Sequence, residues 1–139
     1  MCYSYLGPVC FVSSKHTTQV EPDRWYYWAD RLGMLVWQDH PSMFWEQDAF
    51  HPGEGQPVAP AREEAAQWER EYVRMVEEHY SFPCIVLYVV FNEAWGQYDT
   101  VRVTREMRAL DRSRLWTPAS GWDDADAGDI IDMHKYEGG

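Results

Sequence analysis

The chain has 139 residues, with 12 Lys and Arg against 23 Asp and Glu, for a formal net charge of −11. It therefore lacks the basic footprint that nucleic acid or an anionic membrane surface requires. Apolar residues make up 45% and charged residues 25%, the mix of an ordinary folded domain rather than a disordered tract.

The opening MCYSYLGPVCFVSS has no basic n-region, and residues 1–14 read as a mildly apolar leader with a short strand at Val9–Ser13. The three cysteines, Cys2, Cys10 and Cys84, have neither the even count of a disulfide framework nor a zinc-ligand spacing. No metal site and no cofactor are expected. EPDRWYYWADRLG then reads as a helix, with Pro22 suited to its first turn, Asp23 at the positive end of the dipole and Gly33 as the left-handed stop. MLVWQD, residues 34–39, follows as a short buried parallel strand.

Residues 40–60 carry four prolines and two glycines without periodicity. A loop of that length, against the usual ~2–6 residues of a βα connection, is either functional, as a long active-site loop, or a sign of misassignment. AREEAAQWEREYVRMVEEHY is the next helix, with Ala61, Ala65, Trp68, Tyr72, Met75 and Val76 on its apolar face and its glutamates on a solvated one.

CIVLYVVF, residues 84–91, is apolar without alternation and fits a central parallel strand covered on both faces. It is far shorter than the roughly 20 residues of a membrane span. Asp99 suits the cap of a third helix, with Val103, Met107 and Leu110 on one face. LWTPA and DIIDMH read as two further strands, joined by an acidic loop without the ligand spacing of a calcium hand. Strand and helix alternate, which implies an α/β fold with a parallel sheet. The length holds roughly half of a (β/α)8 barrel, which usually needs about 250 residues.

The strands end in polar or aromatic residues. Asp39 follows MLVWQ, Asn92 and Glu93 follow CIVLYVVF, Ser120 and Trp122 follow LWTPA, and His134 and Tyr136 close DIIDM. In parallel α/β folds this C-terminal edge is where ligands bind. Glu93, beside Asn92 and near Trp95 at the mouth of an apolar strand, has the setting in which partial desolvation raises a carboxyl toward general-acid duty. It could equally cap the helix after it. Asp39 either meets a substrate hydroxyl or caps its loop. His16 and His134 either contact sugar hydroxyls or serve as structural hydrogen-bonding partners, and Trp122 and Tyr136 either stack on a ring or pack.

SFPCIVLYVVFNEAWGQYDT strongly resembles the acid/base strand of glycoside hydrolase family 2, where an apolar strand ends in Asn-Glu; the Asn-His that usually precedes Pro-Ser-Ile is absent here. RWYYWADRLGMLVWQDHPSM resembles the helix and third strand of that barrel, and DRSRLWTPASGW with GDIIDMHKY resembles its fifth and sixth strands. The resemblance runs from about Lys15 to Tyr136 and implies a partial TIM barrel, roughly strands 2 to 6, in one incomplete domain over residues 1–139. It implies Glu93 as acid/base of a retaining β-glycosidase, Asn92 as a contact to the sugar 2-hydroxyl, and His16, Asp39, Trp122, His134 and Tyr136 as parts of the sugar subsite. The family's nucleophilic glutamate lies on the seventh strand, beyond YEGG, so the 139 residues are expected to be inactive alone. The alternative is a non-enzymatic carbohydrate-binding or self-associating half-barrel, with Trp95, Trp122 and Tyr136 as its aromatic surface.

Overall fold

The computed structural model describes residues 2–6, 9–13, 19–42, 60–93, 96–121 and 124–133. Five strands form one sheet in chain order: β1 (Cys2–Leu6), β2 (Val9–Ser13), β3 (Leu35–Asp39), β4 (Ile85–Asn92) and β5 (Leu115–Ser120). β2 to β5 run parallel, and one helix precedes each of the last three: α1 (Asp23–Leu32), α2 (Arg62–His79) and α3 (Thr100–Leu110). Sequential parallel neighbours linked by helices are the repeat of a β/α barrel. β1 was not anticipated. It pairs antiparallel with β2, Leu6 opposite Val9, so residues 2–6 add an antiparallel strand at the edge of the parallel ones.

Local chemistry explains most boundaries. Pro22 stands just outside α1 rather than in its first turn, where its missing N–H is not needed. Gly33, at φ 68, donates its N–H to the carbonyls of Ala29 and Asp30, the left-handed close that glycine makes without a Cβ penalty. Ala61 is the exposed cap of α2 rather than part of its buried face. Its N–H donates to the Glu64 carboxylate at 3.2 Å, and its methyl has no acceptor to return the bond. Asp99 precedes α3 as expected but makes no capping bond. Its backbone is left-handed at φ 36, whereas a capping side chain needs extended geometry to reach the N2 or N3 amide. The carboxylate instead accepts from Arg102 Nε at 2.6 Å. The buried stripe of α3 is Val103, Thr104 and Met107, and Leu110, in the last turn, is 38% exposed.

The unbroken apolar run of β4 contains a register shift: Val36 pairs with Ile85 but Trp37 pairs with Leu87, leaving Val86 as an extra residue. Ile85, Tyr88 and Val90 therefore join the helix-side core with Tyr26, Tyr72 and Trp116. Leu87 and Val89, opposite Trp37 and Asp39, are buried on the other face. Fully burying side chains of this size contributes about 1.5–3 kcal/mol each. At the opposite edge, Arg114 donates to the carbonyls of Tyr80, Phe82 and Ile85 and to the buried carboxylate of Asp111, tying two αβ turns together.

Residues 129–133 do not form the strand expected of DIIDMH. One rung exists: Asp129 N–H donates to Trp116 O at 2.7 Å, and its carboxylate accepts from Trp116 N–H at 3.1 Å. Backbone groups on a strand alternate sides, so the next residue of β5 facing this segment is Pro118, which has no N–H to extend the ladder. Among the described residues, no helix is long and apolar enough to cross a membrane.

Candidate active site

Three strand ends meet at the C-terminal edge. Asp39 closes β3 opposite Val89, and Asn92 and Ser120 face each other at the ends of β4 and β5. Glu93, one residue further, is left-handed at φ 49, and its N–H donates to Ser120 O at 2.8 Å. That conformation costs a non-glycine residue roughly 1–2 kcal/mol, about what one net backbone hydrogen bond returns. Ser120 is 6% exposed, and its hydroxyl donates to Asp132 Oδ2 at 2.8 Å.

The neighbouring pieces fix Asp39. Gln38 donates through Nε2 to the carbonyls of Gln19 (3.0 Å) and Asp39 (2.7 Å) and accepts from Tyr26 OH at 2.5 Å. The segment entering α1 is thus tied to the tip of β3. Burial pushes the Asp39 carboxyl up to about 7, with the negative charges of Asp132 and then Glu93 adding to the rise. Near neutral pH it is partly protonated and can both donate and accept.

Behind the edge stands an aromatic wall. His40 is buried, which brings its imidazole down to about 4; its Nδ1 donates to Pro41 O at 3.0 Å. The ring stacks on Tyr72 at 4.9 Å and meets Trp68 edge-on at 5.1 Å. Trp68 also donates to Pro41 O, at 2.8 Å, and lies flat on Phe91 at 5.2 Å. These rings are core rather than a sugar platform. Arg102 then bridges Glu69, Asp99 and Glu106, and Tyr98 OH donates to Glu69 at 2.8 Å, anchoring α3 and the turn before it to α2.

Of the residues expected at the site, Asp39, Asn92 and Glu93 come together on this edge. His16, Trp95, Trp122, His134 and Tyr136 lie outside the described residues, as do residues 43–59 of the long loop. Asp132 and Gln38 were missed; Asp132 interrupts an apolar run and Gln38 closes one, and that change was the available signal. Gly128 was missed too. A Cβ there would lie 2.5 Å from Pro118 Cδ and 2.6 Å from Trp116 O, so glycine is what lets this segment approach β5. Among the described residues, no group of three or more His, Cys, Asp and Glu side chains is arranged to hold a metal.

Residues 16–137 match the family described as "Glycosyl hydrolases family 2, TIM barrel domain". The chain belongs to glycoside hydrolase family 2. Its structure is similar to that of a β-glucuronidase from Parabacteroides merdae with glycerol in its active site, with a TM-score of 0.62 at 18% identity over 86% of this chain and 15% of that one. It is also similar to β-glucuronidase 2 of Bacteroides uniformis covalently bound to cyclophellitol-6-carboxylate aziridine (TM-score 0.55, 20% identity, 79% of this chain and 14% of that one). A β-glucuronidase from an uncultured Clostridium sp. gives a TM-score of 0.54 at 17% identity over 83% of this chain and 20% of that one. At these identities the likeness establishes the fold, a partial TIM barrel. The family 2 chain spans only 14–20% of the length of these structures. No curated protein matches it.

Proposed function

We propose that this family 2 chain carries the acid/base half of a retaining β-glycosidase site. Glu93 protonates the leaving glycosidic oxygen and then takes a proton from the attacking water. Asn92 hydrogen-bonds the sugar 2-hydroxyl, and Asp39, His16, Trp122, His134 and Tyr136 line the subsite. The nucleophilic carboxylate comes from outside these residues, so the 139-residue chain folds without hydrolysing glycosides. The observation that carries the reading is the position of Glu93: one residue past the end of β4, held by Ser120 and near Asp39, on the edge from which barrel enzymes draw catalytic side chains.

The test offers a panel of aryl β-glycosides to the purified chain and to Glu93→Ala, while monosaccharides are titrated in by NMR. Saturable amide shifts at Asp39, Asn92 and Glu93 without aryl release are expected. Turnover that Glu93→Ala abolishes would mean that the chain, or a second copy of it, supplies the second carboxylate. Unmoved amides at saturating sugar would refute the binding edge.

A second reading, pairing with another copy of the chain, rests on a different observation. Leu115 on the outermost strand β5, with Ile131 and Met133 beyond it, is exposed by 47%, 70% and 85% respectively. Exposed apolar groups beside the outermost strand favour association.

A further inference from the structure

Ser120 holds two bonds of different kinds at the end of β5. Its carbonyl receives the N–H of Glu93 at 2.8 Å, and its hydroxyl donates to Asp132 Oδ2 at 2.8 Å. The carbonyl's bond is the last rung of the β4–β5 ladder, and beyond it the chain turns away through Gly121 at φ 93. Asp132 in turn is delivered by a strap along β5. The strap is clamped where Asp129 meets both backbone groups of Trp116 and where Gly128 closes on Pro118 and the Trp116 carbonyl. Arg108 of α3 pairs with the Asp129 carboxylate and fixes the same segment from the helix layer.

We propose that Ser120 and Asp132 form a positioning pair for Glu93, in which the Asp132 carboxylate locks the Ser120 hydroxyl so that the Ser120 carbonyl keeps Glu93 left-handed and its carboxyl presented at the barrel edge. The pair touches no reacting atom; it acts through Glu93, and the inference rests on the acid/base reading of that residue. It assigns a role to the 127–132 segment that strand pairing does not: the segment carries a carboxylate to the strand end in place of a ladder.

The experiment uses the 139-residue chain, labelled with 15N and 13C. Two readouts are local to Glu93: its amide exchange rate, and the three-bond coupling across its N–Cα bond, which reports φ. Ser120→Ala and Asp132→Ala are each expected to raise Glu93 amide exchange at least tenfold and to move its coupling, with Leu87 and Val89 of β4 unchanged. Ser120→Thr, which keeps the hydroxyl, is expected to restore both. Combining the two alanine changes should add little to either alone, because both break one bond. A Glu93 amide exchange rate within twofold of the parent and an unchanged coupling in Ser120→Ala would overturn the proposal. Global unfolding of that variant, read by near-ultraviolet circular dichroism, would overturn it too, since the hydroxyl would then support the whole sheet rather than one residue. Failure of the acid/base reading would show separately, as sugar-insensitive amides in the parent chain with the Ser120 and Asp132 effects intact.

Discussion

Asp39 and His40, consecutive at the tip of β3, are driven in opposite directions by the same burial: the carboxyl up to about 7 and the imidazole down to about 4. Both therefore favour their neutral forms in the folded chain near pH 5–6. Two adjacent ionisable groups at the candidate site are held with little charge between them.

The sign of each contribution to stability follows. Asp39 has a folded value above its unfolded 3.8, so its contribution is complete at low pH and is lost as pH rises toward 7. His40 has a folded value below its unfolded 6.5, so its contribution is complete above that value and is lost as pH falls toward 4. Asp39→Asn is expected to be more stable than the parent at pH 8, with the gap closing by pH 4. Urea unfolding at pH 4, 6 and 8 checks this, and a gap independent of pH would rule it out.

Gly128→Ala is expected to destabilise the fold by about 1–3 kcal/mol, the usual cost of overpacking. One of the two atoms its Cβ would strike is the Trp116 carbonyl oxygen, and the other belongs to the ring of Pro118; neither is the free end of a flexible chain. Thermal unfolding measures the loss, and an unchanged midpoint would mean that the strap relaxes freely.

Arg114→Ala should cost about 3–5 kcal/mol, because removing one member of a buried ion pair strands the other. The Asp111 side chain is fully buried and that of Arg114 is 9% exposed. Ser113 also donates to the Asp111 carboxylate through its amide and hydroxyl, so Asp111→Asn in the Arg114→Ala background should recover part of the loss. Denaturant titration of the parent and the two variants decides it; no recovery would place the role of Arg114 in the carbonyls it binds instead.

If exposed Leu115, Ile131 and Met133 mark a pairing face, gel filtration at two concentrations will show a larger species at the higher one, and Ile131→Lys with Met133→Lys will abolish it. A stable monomer at both concentrations sinks the pairing reading.

The β/α order could be read from the sequence because its signals are local. The three-and-four spacing of Trp68, Tyr72, Met75 and Val76, the close at Gly33 and the bounded apolar run before Asn92 and Glu93 each follow from sterics within a few residues. Tertiary structure alone decided the rest. Ser120 and Asp132 are 12 residues apart, and the Asp30 carboxylate receives the Cys84 N–H from 54 residues away. The left-handed Glu93, the value of Asp39 and the lost strand at 129–133 depend on what the fold brings alongside: a carbonyl, two carboxylates and a proline with no N–H. Local periodicity carries no information about any of these, because each is a contact between segments that meet only once the sheet has formed.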